Sequence, residues 1–373
     1  MATLHRGGRL TASGRGVSSI GAVRKAALVL ALGLLAGALA GCEAQITPYA
    51  ARVGGTTISS GQLDDALRAI ADDPGYRCQI VEQTGGQPIE GAGASTYAST
   101  FSADALTGLI EMAAVHADVV RRGLHGDAGL LGALTRAQLA AGFSPAPSSS
   151  CPQSGASVVA ALTPAYRAQL LRFQSDQDLL AAQQAKVVLT RPAAAAFARS
   201  HPRVASLACV AVIVVRTRAQ ALALDARLMA GADFATLARQ RSIDPASAAK
   251  GGEIGCDLPG DFSGAVASVL EGLAVGEVSR PVAVSGVYAL LTVRSRRPAS
   301  ALQVAEAMVD PALAAVAGDV AAITGRAQVV VDPRYGRWAA VHGTYEVVPS
   351  SGPPTRLVPN PRAATPPGAG LTA

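Results

Sequence analysis

Aromatic side chains are scarce in this chain of 373 residues: Phe, Tyr and Trp together make 4%, with a single Trp. A core must therefore be built mostly from Ala, Val and Leu. Charge is sparse as well, at 16% of residues against 50% hydrophobic. That balance is globular and excludes a wholly disordered chain. The five histidines, His5, His116, His125, His201 and His342, are scattered, and none pairs at metal-ligand spacing. There is no Cys-x-x-Cys, so no metal is expected. Gly-rich stretches such as Gly91–Gly93 lack a following Lys-Ser/Thr, which excludes a phosphate loop. No Ser-His-Asp arrangement and no internal repeat stands out. No cofactor is expected.

The formal charge of +6 comes mostly from the N-terminus. Arg6, Arg9, Arg15, Arg24 and Lys25 lie within 1–41 with no acid beside them. Without that segment, 27 basic residues face 26 acidic ones, and no basic stripe remains to argue for nucleic acid. The same segment reads in three parts. Arg24-Lys25 closes a basic stretch, an apolar run extends from Ala26 to Ala40, and Leu39-Ala40-Gly41-Cys42 follows. The run falls short of the roughly 20 residues of a comfortable membrane span. Small residues before a cysteine resemble the bacterial lipobox. The resemblance implies export, cleavage before Cys42 and diacylglycerol on that cysteine. An ordinary signal peptide with a chance cysteine, or an uncut anchor, is the alternative.

Export makes the remaining cysteines an even set in an oxidising compartment. Cys78 and Cys151 both sit in Pro/Gly/Ser-rich segments flanking a helical block, which favours pairing them. Cys209 and Cys256 then pair or stay as buried thiols; four cysteines allow three connectivities.

Along the chain, 42–50 is a tether and Ala51-Arg52-Val53 starts a strand. Ser59 and Gln62 form a capping box for a helix with Leu63, Leu67 and Ile70 on one face. Residues 72–100 read as a loop. Ser102 is the expected cap of a helix through Leu106, Ile110 and Ala117, stopped by Gly123. A helix near 133–141, a linker at 144–157, and a helix from Thr163-Pro164 to about Lys186 complete a mainly helical domain over 51–198. At Val204 the texture changes to a β-branched apolar run, a buried strand through Val215. The order after it is β-α-α-β-α-β-β, with a hairpin at Ser285-Gly286. An Ala-rich helix over 300–324 and a strand at Val329–Val331 follow. The expected class is α+β: a split helical domain, 51–198 plus 300–338, with 203–298 inserted as a four-stranded antiparallel sheet with helices. Residues 348–373 read as a disordered tail.

Four segments carry a family resemblance: Ala230-Gly231-Ala232-Asp233-Phe234-Ala235, Ser242-Ile243-Asp244-Pro245, Lys250-Gly251-Gly252-Glu253-Ile254-Gly255, and Gly276-Glu277-Val278-Ser279-Arg280-Pro281-Val282. In this order and spacing they resemble the parvulin peptidyl-prolyl cis-trans isomerases. The flanking helical blocks resemble the split chaperone domain of PrsA- and SurA-type exported foldases. Asp332-Pro333-Arg334-Tyr335-Gly336-Arg337-Trp338 resembles the ending of actinobacterial members; read plainly, it is a strand and turn packing Tyr335 and Trp338 on the core.

The resemblance implies a prolyl slot lined by two histidines, a Cys or Asp, and Met/Leu and Phe walls. Carried over without gaps, the first histidine falls on Val212 and the second on Tyr288. Asp244 keeps the Cys/Asp position, Phe262 the Met-like position, and Val266 takes the phenylalanine position. Cys256 and Asp257 replace two bulky residues. Val212 cannot hydrogen-bond, and losing an aromatic wall weakens ring binding by roughly 1–2 kcal/mol. Each residue also has a plain structural reading: Asp244 as a turn residue before Pro, Tyr288 as a buried strand aromatic, Phe262 as first-turn helix core. The expected function is a lipid-anchored foldase on the outer face of the bacterial membrane. It binds unfolded, newly exported polypeptides and has weak or absent isomerase activity. An active isomerase using Asp244, Tyr288 and Phe262, and a non-catalytic envelope scaffold, remain open, as does oligomeric state.

Overall fold

The computed structural model describes residues 49–93, 95–145, 149–151, 155–262 and 264–350. Cys42, the apolar run before it and the tail beyond 350 lie outside the described residues.

The chain enters through β1 (Tyr49–Val53) and β2 (Thr56–Ser59), an antiparallel pair. Helix α1 (Ser60–Asp72) follows, and the Ser59–Gln62 capping box closes its first turn with both reciprocal bonds present. Next, α2 (Pro74–Gln83) occupies part of the stretch expected to be loop. Its start was written in the sequence as Asp73-Pro74: Asp73 accepts from the Tyr76 N–H at 2.7 Å, and Pro at the first helical position loses no helical bond. The Gly/Pro composition of the whole stretch hid this signal. Helix α3 (Ser99–Arg122) is capped four residues earlier than expected, at Ala98 with no side-chain cap, and Ser102 is buried inside it. Gly123 ends it at φ 66°, the left-handed position that glycine occupies without a Cβ clash. Helices α4 (Ala128–Gly142), α5 (Gly155–Ala161), α6 (Pro164–Gln184) and α7 (Arg191–Ser200) complete the first block. The short α5 begins inside the expected linker.

Strand β3 (Ser206–Val215) opens the inserted domain, followed by α8 (Arg218–Met229), α9 (Phe234–Arg241) and the short α10 (Pro245–Ala248). Then come β4 (Glu253–Asp257), a 3₁₀ turn at Pro259–Asp261 and α11 (Gly264–Gly272). Phe262 therefore precedes this helix rather than standing in its first turn. Strands β5 (Val282–Val284) and β6 (Val287–Pro298) finish the domain; Val278 joins only as an isolated bridge to Thr292. The four strands lie in the order β4-β3-β6-β5, all antiparallel. Residues alternate across β3: Ala208, Val210 and Val212 face α11, while Ala211, Ile213 and Val215 face α8 and α9.

The chain then returns to the helical body through α12 (Ala301–Arg326) and β7 (Val329–Val331). Strand β7 pairs antiparallel with β1, Ala51 opposite Val331, so the segments before and after the inserted domain share one sheet. Helix α12 packs against α6, α7, α3 and α4 and buries Val304, Met308, Val309, Val316 and Ile323. A hairpin of β8 (Arg337–Val341) and β9 (Thr344–Val348) follows, where the sequence predicts only a strand and turn. It docks on α3, where Thr107 Oγ1 accepts from the Val347 N–H at 2.8 Å. Tyr335 and Trp338 rest against the main core.

Among the described residues two disulfides are present: Cys78–Cys151 ties α2 to residues 149–151, and Cys209–Cys256 links β3 directly across to β4.

Candidate functional site

The sheet of the inserted domain divides the candidate residues between its two faces. Val212 on β3, Val266 on α11 and Phe262 just before α11 meet on one face, around Leu270 and Leu291. Val212 and Val266 are each only 7% exposed, so that part of the face is closed by the protein's own side chains. Phe262 is half-buried at its rim. Tyr288 lies against the opposite cluster, with Leu224, Phe234 and Leu237. The pleat explains the split: Val212 stands opposite Leu291, and Tyr288 is three residues from Leu291, an odd step that reverses the face. Tyr288 pairs instead with Val215.

Asp244 sits at the start of α10 and caps it, accepting from both the backbone N–H and the hydroxyl of Ser247. The Ser247 hydroxyl bond holds its carboxyl below the usual range, so it is ionised at neutral pH. The preceding residues are stitched to the end of β3: Ile243 N–H donates to the Val214 carbonyl at 2.8 Å, and Ser242 Oγ accepts from Val214 N–H at 3.1 Å. Gly252, at φ +93°, lets the chain turn back so that its carbonyl accepts from Val212 N–H at 2.8 Å; a Cβ there would stand 2.7 Å from the Val212 carbonyl oxygen. Arg296 on β6 fixes α11 by donating to the Leu270 and Leu273 carbonyls at its C-terminal end.

Three further concavities were not singled out from the sequence. In the helical body a pocket of about 200 Å3 is lined by Ile80, Phe101, Met112, Tyr76, Tyr166 and Leu170. The two tyrosine hydroxyls approach to 3.4 Å, and burial raises the pKa of both. Met112 also lines a neighbouring pocket of about 110 Å3 with Ile58, Leu109 and Phe173. His116 borders it and pairs with Asp176 at 3.0 Å; burial holds that carboxyl above its usual range despite the histidine. A third cleft, of about 500 Å3, runs between the sheet domain and α12. The apolar faces of α3 and α6 were legible as core; that two of them leave a gap over Met112 is set by helix placement. Among the described residues, the one group placed to share a metal ion is Cys78, Glu82 and Cys151, and two of these are joined as a disulfide.

Residues 215–295 match the family described as Rotamase, PPIC-type PPIASE domain. The Chaperone SurA of Pseudoalteromonas atlantica is 41% identical over 71 residues, 19% of this chain and 16% of that protein. The Chaperone SurA of Shewanella denitrificans is 36% identical over 89 residues, 24% and 20% of the two chains. The chain thus spans a fifth or less of the length of these curated relatives. Among solved structures, the peptidylprolyl isomerase PrsA from Bacillus anthracis aligns over 58% of this chain and 94% of its own, at 16% identity and a TM-score of 0.32. The parvulin domain of PpiD from E. coli aligns over 25% and 90%, at 24% identity and a TM-score of 0.23. The segments quoted from the sequence fall within or beside the matched residues, and the chain carries a PPIC-type, that is parvulin-type, peptidyl-prolyl isomerase domain.

Proposed function

We propose that this protein is an extracytoplasmic foldase that holds unfolded exported polypeptides, with a parvulin-type domain in which prolyl turnover is weak or lost. One observation carries the reading. The position that the family resemblance assigns to the first histidine is Val212, buried among Val266, Leu270 and Leu291, and the second, Tyr288, lies on the other face of the sheet. An amide rotation barrier of roughly 18–20 kcal/mol is lowered only by groups that converge on one proline. Asp244, Tyr288 and Phe262 do not converge in this way. Holding a chain asks less: apolar concavities suffice, and the helical body supplies two over Met112.

A protease-coupled assay on a Xaa-Pro peptide is expected to give no rate above the thermal background, while the same protein suppresses aggregation of a denatured exported client. A rate above background that falls on Asp244→Ala would restore the isomerase reading. Failure in both assays would leave only a scaffold.

Attachment to the outer face of the cell membrane through lipid on Cys42 belongs to the same proposal. A single acyl chain binds membranes only marginally, and two or three anchor firmly. Cys42→Ser is expected to move the protein from the membrane fraction to the soluble extracytoplasmic fraction. Unchanged fractionation would mean an uncut anchor.

A further inference from the structure

The cleft between the sheet domain and α12 is acidic on both sides. Asp261 and Glu271 line it from the sheet domain, and Glu306 and Asp310 from α12, where they are four residues apart and share a helix face. The walls between them are apolar, with Val204, Leu258 and Leu313. Among the described residues that line it there is no Lys, Arg or His.

The two acidic sets approach closely. A Cβ on Gly260 would stand 2.7 Å from Asp310 Oδ2. Partial desolvation in the cleft first, and the charge of Asp261 second, hold the Glu306 and Asp310 carboxyls above their usual range, although Asp310 itself stays exposed. Burial first, with the charge of Asp257 raising it further, does the same for Asp261. Like charges therefore face one another across the junction, and among its described lining residues none is cationic. Pro311 has no N–H and cannot donate to the Ala307 carbonyl, and both residues line the cleft.

We propose that this cleft docks a cationic segment of an unfolded polypeptide, a Lys or Arg side chain among the carboxylates and its apolar neighbours on Val204, Leu258 and Leu313. The proposal rests on the polypeptide-holding function above and gives it a sequence preference. Charge complementarity selects this occupant: an acidic segment adds repulsion, and a neutral one leaves the carboxylates unanswered. A metal ion fits less well. Among the described residues no three of these carboxylates bring oxygens within 4.8 Å of one another, as a metal would ask. A guanidinium or ammonium on a long stem answers more widely spaced acceptors.

Fluorescence anisotropy on the full chain tests this with two labelled, unstructured peptides of equal length and apolar content. One carries Lys at its polar positions, the other Glu. The Lys peptide is expected to bind at least about tenfold more tightly at low salt, with the gap closing as salt rises. Asp261→Asn with Asp310→Asn removes the preference and leaves the thermal midpoint no lower, because it deletes repelling charges. Asp310→Lys, at an exposed position, supplies the cation in cis and removes the preference as well. Equal affinity for both peptides, or a preference that survives both variants, overturns the proposal. Displacement of the Lys peptide by submillimolar calcium chloride assigns the cleft to the ion and overturns it too. If clients are held without charge preference, this inference alone fails; if neither peptide binds and no client is held, the foldase reading fails with it.

Discussion

Replacing Cys78 and Cys151 together by alanine is expected to lower the unfolding free energy of the oxidised protein by about 4 kcal/mol. The bridge closes 73 residues, and fixing a loop of that size in the unfolded chain removes roughly 15 cal/mol/K of entropy. Helix α2 fully buries only Gly75 and Gln79, while Tyr76, Ile80 and Val81 pack partly buried against the main core. Beside the bridge, Ser149 and Ser150 donate to the Glu82 carboxylate one turn from Cys78, holding that carboxyl below its usual range. These bonds are exposed. The variant should therefore loosen around α2 first, and hydrogen exchange there should rise more than in the sheet domain. Urea midpoints measure the global effect; a loss under about 1 kcal/mol would mean that the unfolded chain is already compact around this loop. The Cys209–Cys256 bridge closes 47 residues, so removing it costs a similar amount by the same argument. Its strands are already joined by backbone bonds, and exchange in α2 should not change.

Asp178→Asn is expected to stabilise the protein at pH 7.5 by up to about 3 kcal/mol and to flatten its stability between pH 4 and 7. Asp178 is fully buried in α6, where it accepts from Thr135 Oγ1 at 2.9 Å and Gln174 Nε2 at 3.0 Å. Burial outweighs both bonds and raises its pKa from 3.8 to about 6. The folded state thus binds the proton more tightly than the unfolded chain. Below the unfolded value of 3.8 both states are protonated and the penalty is absent. It grows as pH rises through the window up to about 6 and is complete above it. Asparagine keeps the shape without the charge; its oxygen accepts from Gln174, and Thr135 turns from donor to acceptor. Other carboxyls titrate in the same range, so the measurement is the difference between the two proteins' thermal midpoints from pH 4 to 8. A difference that does not grow with pH would place the Asp178 pKa near its ordinary value.

Much of this architecture was local and therefore legible. The capping box at Ser59, the Thr163-Pro164 start, the Gly123 stop and the two-faced strand ending at Val215 are decided by neighbours within a few residues. So were the parvulin segments, because Gly252 is required where the chain must approach β3 closely. Helix α2 was also locally encoded by Asp73-Pro74, but lay in a stretch whose composition argued for loop.

The sequence by itself determined most of the elements, the inserted sheet domain and the absence of histidine from it, but not α2 or the β8–β9 hairpin. Only the tertiary structure decided which candidate residues meet. Register is a long-range property: the pairing of Val212 with Leu291 puts Tyr288 on the far face, and no local pattern states that pairing. The acidic cleft has the same origin. Glu306 and Asp310 visibly share one helix face, a turn apart, but Asp261 reaches them only because the chain returns through α12 beside the domain it has just built.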